Sequence, residues 1–200
     1  MKIRTELYIK QEEKLPKKGQ HIIGQINDGQ IVVYQAFNPK ISQYAVQNQK
    51  FGGSHYSFER MSWIKPNFLW MMYRAGWASR EHQQSILAIL LPLERFKEIF
   101  YSAVHSSFQK NIYQTEEDWK QKLQRSTVRL QWDPDHDPKG NKLERRAVQL
   151  GLRGDTLQKF ATEWITEIED ITDFVKEEHQ KVLANELDKL VVPFEEIVEI

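Results

Sequence analysis

The chain has 200 residues, and its 28 lysines and arginines are balanced by 28 aspartates and glutamates, so no global positive field draws it to nucleic acid or anionic lipid. That length suits one domain, burying roughly 70% of the surface an unfolded chain exposes. Cysteine is absent, which excludes disulfides and thiolate metal sites. The longest apolar run, residues 86–91, is six residues long, against about 20 needed to cross a bilayer; a cytoplasmic protein with no membrane or disulfide partner is the expectation.

Residues 1–20 are charged and broken by Pro16 and Gly19, as in a flexible or edge lead-in. Asn27-Asp28-Gly29 is turn chemistry between apolar runs at 21–25 and 30–37, which predicts a hairpin. Asn38-Pro39 starts a helix with Ile41, Tyr44 and Ala45 on its buried side. Lys65 precedes Pro66 and is biased to extended geometry, so a second helix should run from about Pro66 to Ala75 and stop at Gly76, with Trp77 folding back on Met72. Residues 85–91 read as a central strand, apolar on both faces. Pro92 opens a helix carrying Leu93, Phe96, Phe100 and Val104, and Thr115 caps the next one.

In residues 127–132 and 145–153 apolar and polar residues alternate, predicting two half-buried strands joined by a long, turn-rich loop. From Asp155, the residues Leu157, Phe160, Ala161, Trp164, Ile165, Ile168, Ile171 and Val175 read as one continuous amphipathic helix. The fold class expected is α+β: a single domain, mainly antiparallel sheet with helices packed on one face.

Pairing the two late strands puts Val128, Leu130, Trp132, Val148, Leu150 and Leu152 on a core face and Arg129, Gln131 and Gln149, with Arg145 and Arg153, on a polar one. Guanidinium groups there would suit phosphate or carboxylate. Residues 60–77, RMSWIKPNFLWMMYRAGW, set Arg60, Lys65 and Arg74 among aromatic rings, an arrangement able to stack a base and hold its phosphate. The candidate phosphate ligands are Arg60, Arg74, Arg145, Arg146 and Arg153, and the candidate stacking residues are Trp63 and Trp70. Tyr34, Gln35 and His136 are the candidate catalytic groups. Asp133, Asp135 and Asp137 have calcium-loop spacing, but Pro138 occupies the position that needs glycine. No dinucleotide, triphosphate, zinc-protease or serine-hydrolase motif is present.

VVYQAFNP, the tryptophan segment, LQWDPDHDPKGNKLERRAVQLGLRG and EDITDFV together resemble domain-of-unknown-function family 4291. The likeness runs from about residue 21 to 182 and implies a single domain of this length, with 183–200 as a C-terminal extension. It implies no substrate and no cofactor. Phe37 and Ala75 stand where the family is associated with tyrosine and serine. Four functions follow as expectations: a nucleotide- or RNA-phosphate-directed enzyme or binding domain with an Arg/Trp-lined cleft; a protein-interaction module using exposed aromatics; an ADP-ribosyltransferase-like transferase using NAD; and metal-dependent hydrolysis at Asp133, Asp135, His136 and Asp137.

Overall fold

The computed structural model describes residues 3–200; the first two residues of the lead-in lie outside those described. In chain order the elements are β1 (Thr5–Leu7), α1 (Tyr8–Lys14), β2 (Gly19–Gln20), β3 (Ile23–Gly24), β4 (Ile26–Asn27), β5 (Gln30–Phe37), α2 (Pro39–Asn48), β6 (Ser62–Ile64) and α3 (Phe68–Ala75). They continue as β7 (Ser85–Pro92), α4 (Leu93–Tyr101), β8 (Val104–His105), α5 (Glu116–Arg125), β9 (Val128–His136), β10 (Lys142–Leu152) and α6 (Gly154–Lys159). After a π-helical turn at Phe160–Trp164 come β11 (Glu167–Asp170), α7 (Thr172–Leu183), β12 (Val191–Pro193) and β13 (Glu196–Ile197).

The α+β class is as expected, with mainly antiparallel pairing in one compact domain. One sheet has the order β11-β7-β5-β4; the other runs β2-β10-β9-β8, with β6 against the far end of β10. Ile31, Val33, Leu87, Ile89 and Leu91 of the first sheet pack on Val128, Leu130, Val148, Leu150 and Leu152 of the second. The outer face of the first sheet carries Val32, Tyr34, Ile86, Ala88 and Leu90, covered by Phe68, Met72 and Ala75 of α3 and Val175 and Val182 of α7. Two buried faces explain why β7 is apolar throughout.

Local chemistry sets several boundaries. Asp28 and Gly29 have φ of 48° and 74°, as a two-residue turn matched to strand twist requires. Asn38 Oδ1 accepts from the amides of Lys40 and Ile41, and Thr115 Oγ1 from that of Asp118. In α3 the cap is Asn67, whose Oδ1 accepts from the Trp70 amide at 2.7 Å, so the helix begins at Phe68 rather than Pro66. Gly76 (φ 55°) stops it, and the Trp77 amide donates to Met72 O at 3.0 Å.

Three expectations need correction. Val104 belongs to β8, because α4 ends at Tyr101. The long loop between the late strands is mostly strand: β9 and β10 continue through Asp133 to His136 and from Lys142, with an irregularity between Lys142 and Arg146. The helix expected through Val175 breaks after Trp164. Residues 165–171 are rich in β-branched side chains, and the open edge of β7 captures them, Glu167–Asp170 pairing with 87–90. Apolar spacing had matched both periods.

Both chain ends are built into the core region. The stretch before residue 21 supplies β1, α1 and β2, and residues 191–197 supply β12, which pairs with β1, and β13, which pairs with β3. Glu195 is buried at the start of α3, where its carboxyl accepts from the Phe68 amide at 2.6 Å and from Asn67 Nδ2 at 3.3 Å. Burial pushes that carboxyl well above the usual range. A group that binds its proton more tightly when folded loses stability as pH rises from its unfolded pKa toward the raised one. Glu195→Gln keeps the acceptor without the charge, so it is expected to hold or gain stability at pH 7. Glu195→Ala should cost about 1–3 kcal/mol by orphaning the amide, a contrast measurable by urea denaturation at pH 5 and 7.

Candidate functional site

The outer face of the second sheet does not open fully to water. Trp63 lies opposite Gly151 in the β6–β10 pairing, and Lys65, two residues on, emerges on the same side. A Cβ at position 151 would stand 2.6 Å from Met61 Sδ and 3.0 Å from the Trp63 ring, so glycine leaves room for that indole against β10. Residues 35–41, the 55–63 segment and α3 close over the face. They enclose a cleft of about 870 Å³ lined by Gln35, Arg60, Trp63, Lys65, Trp70, Arg74 and, from the sheet, Gln131, Asp133 and Gln149.

Lys65 is fixed where the two sheets meet. Its backbone exchanges hydrogen bonds of 2.7 and 3.3 Å with Tyr34 of β5, immediately after β6 has paired with β10. The residue is only 5% exposed. Among the described residues its ammonium has no hydrogen-bond partner and no carboxylate within ion-pair distance. Asp133, the acidic group of the cleft, is already engaged: Gln131 and Gln149 each donate a side-chain amide to it at 2.8 Å. Burial, reinforced by the Arg74 guanidinium and opposed by Asp133, pulls the Lys65 ammonium down to about 7. Two further polar atoms of lining residues, Gln35 Oε1 and Trp70 Nε1, are buried without a protein partner. The Gln35 amide nitrogen donates to Ser62 Oγ and Trp63 O at 2.7 and 3.0 Å.

The fold therefore gathers Arg60, Arg74, Trp63, Trp70 and Gln35 but sends the other candidates elsewhere. Arg145 is sealed in an ion network, with Nε 2.6 Å from Asp135 Oδ2 and its two terminal nitrogens 2.8 and 2.9 Å from the Glu12 carboxylate. Arg153 closes the end of α5, donating to the Ser126 and Gln124 carbonyls at 3.0 and 2.5 Å, the usual use of a cation at a helix C-terminus. Arg146 is exposed and lies outside the cleft.

Tyr34 is in the core, edge-on to Phe68 at 5.5 Å, and burial raises its hydroxyl well above the ordinary value. His136 is stacked on Tyr73 at 3.5 Å and on Trp70 at 5.2 Å, with its pKa lowered by burial. The ring lies in an aromatic pile outside the cleft lining, with both of its nitrogens buried and without a hydrogen-bond partner. That pile occupies part of the Trp70 surface, leaving Trp63 as the more open indole. Trp70 and Trp77 are buried, whereas Trp63 and Tyr73 of the same segment are half-buried.

The three aspartates of the calcium-like spacing part company. Asp133 binds two amides in the cleft, Asp135 binds Arg145, and Asp137 accepts from the backbone and side-chain amides of Asn141, both at 2.8 Å. Asp133 and Asp135 lie on β9, where the pairing with β10 is irregular between Lys142 and Arg146, and Asp137 lies just beyond the strand. Lys65, which the sequence sets with Arg60 and Arg74 among the aromatic rings but which the list of phosphate ligands omits, is the cation that the fold places deepest in the cleft. Its signal was position among Arg60, Arg74 and the indoles; its burial depends on the junction of two sheets.

These features define a single-domain α+β protein with a cationic, indole-flanked cleft on the outer face of its second sheet. The family described as Domain of unknown function (DUF4291) matches residues 21–198, and the chain belongs to that family. The match includes β12 and β13 together with the whole cleft. No curated protein matches the chain. Among the described residues no helix is long and apolar enough to cross a membrane.

Proposed function

We propose that the cleft binds a phosphate-bearing ligand with a planar group, a nucleotide or an RNA end. Lys65 and Arg74 hold the phosphate, Arg60 stands near the mouth, and Trp63 offers a stacking face. The observation that carries this reading is Lys65, 5% exposed, whose ammonium has no carboxylate within ion-pair distance among the described residues and only the more distant Asp133, already bonded to two amides, to offset its charge. Burying an unpaired cation is costly, and an anion entering the cleft supplies the missing charge. Gln35 Oε1 and Trp70 Nε1 add one acceptor and one donor for the edge of the planar group.

ATP, ADP, NAD, pyrophosphate and short RNA are the test panel, read by melting temperature and tryptophan emission. At least one nucleotide is expected to raise the melting temperature and quench emission. Arg74→Ala should weaken that ligand about tenfold, the scale of one charge-assisted contact. Binding should favour the protonated amine, so affinity falls as pH rises from 6 to 9 through the Lys65 value of about 7. A flat response across the panel rejects the reading.

A further inference from the structure

We infer that the Lys65 amine also forms a covalent imine with a phosphate-bearing aldehyde or ketone, the simplest class being a phosphorylated sugar with a free carbonyl end. This rests on the anion-binding reading of the cleft. Three features of the geometry support it. The Lys65 backbone is pinned by the Tyr34 pairing and lies between buried Ile64 and Pro66, so its side chain projects from a fixed root. Its nitrogen is committed to no acceptor among the described residues. Arg74, close enough to influence the amine, gives the phosphate a partner while the carbonyl carbon meets Nζ.

The chemistry balances without an oxidant or reductant. The Nζ lone pair attacks the carbonyl carbon, a C–N bond forms, and the C=O π pair moves to oxygen, which takes up a proton. The resulting carbinolamine loses the oxygen as water, leaving a C=N bond. The sum is amine plus carbonyl giving imine plus water, and protonation of the imine returns the positive charge near Asp133. Nucleophilic attack needs the uncharged amine. With the Lys65 value at about 7, about half of it is free at pH 7, against well under 0.1% of an ordinary exposed lysine. The surface lysines are therefore internal controls.

The test treats the full chain with ribose 5-phosphate and sodium cyanoborohydride at pH 7, followed by peptide mapping by mass spectrometry. One dominant reduced adduct is expected at Lys65, at least about tenfold above any other lysine, and it should be suppressed by pyrophosphate. Ribose without phosphate should give far less. Lys65→Arg should abolish the adduct while keeping a cation, with its folding checked by circular dichroism. Adducts spread evenly over the lysines, equal labelling by ribose, or labelling unchanged in Lys65→Arg would each overturn the inference. A pyrophosphate- or nucleotide-dependent rise in melting temperature without an adduct removes the covalent step and leaves the anion site standing. No thermal response and no adduct removes both.

Discussion

Lys65→Met is expected to make the protein more stable and unable to bind its ligand. The wild-type lysine is 5% exposed, and its ammonium makes no hydrogen bond or close ion pair among the described residues. Its folded pKa of about 7 lies below the ordinary value of 10.5. The unfolded chain therefore holds this proton more tightly, and stability contributed by the group rises with pH between those two values. Methionine fills similar space without a charge. At pH 7 the gain should be about 2–4 kcal/mol, a discounted reading of that shift. The advantage over wild type should shrink steadily as pH approaches 10. Urea denaturation at pH 7, 8.5 and 10 gives the stability arm, and nucleotide-dependent melting gives the binding arm. A methionine variant less stable than wild type at pH 7 would show that Asp133 and its surroundings compensate the Lys65 charge in the native protein.

Arg145→Ala is expected to produce the largest loss of stability without touching the cleft. Arg145 and Asp135 side chains are each 1% exposed, and the same guanidinium clamps Glu12 of α1. Removing it strands the Asp135 carboxylate, which should cost about 3–5 kcal/mol. Arg145→Met combined with Asp135→Asn removes both central charges and should cost less than Arg145→Ala alone. The urea midpoints of the two variants make the comparison. Below its melting transition, Arg145→Ala should keep wild-type nucleotide affinity. A large loss of affinity in the folded variant would return Arg145 to the ligand site.

These two residues show which parts of the molecule can be read from sequence. Caps and turns announce themselves because their physics is local: Asp28-Gly29, Asn38-Pro39, Thr115 and Gly76 all act within one turn of chain. The tryptophan segment was readable as one lining of the candidate cleft for the same reason, since Arg60, Trp63, Trp70 and Arg74 lie within fifteen residues. Arg145 and Arg153 could not be sorted that way. A guanidinium on a polar strand face looks the same whether it meets a phosphate, a buried aspartate or the end of a helix, and distant segments decide. The Glu12 carboxylate arrives from 133 residues away. Residues 165–171 failed differently, because apolar positions spaced for a helix also suit a strand once a sheet edge is available.

The cap on α3 has a temporal consequence. The helix bearing Trp70 and Arg74 is closed at its start by Glu195, a partner 127 residues downstream of Phe68, and β1 waits for β12. During synthesis, the chain must have emerged through residues 191–195 before these closures form. Such distant partnerships slow folding and lengthen the exposure of unpaired edges. The nascent chain should therefore acquire protease resistance late and in one step, rather than progressively as it emerges.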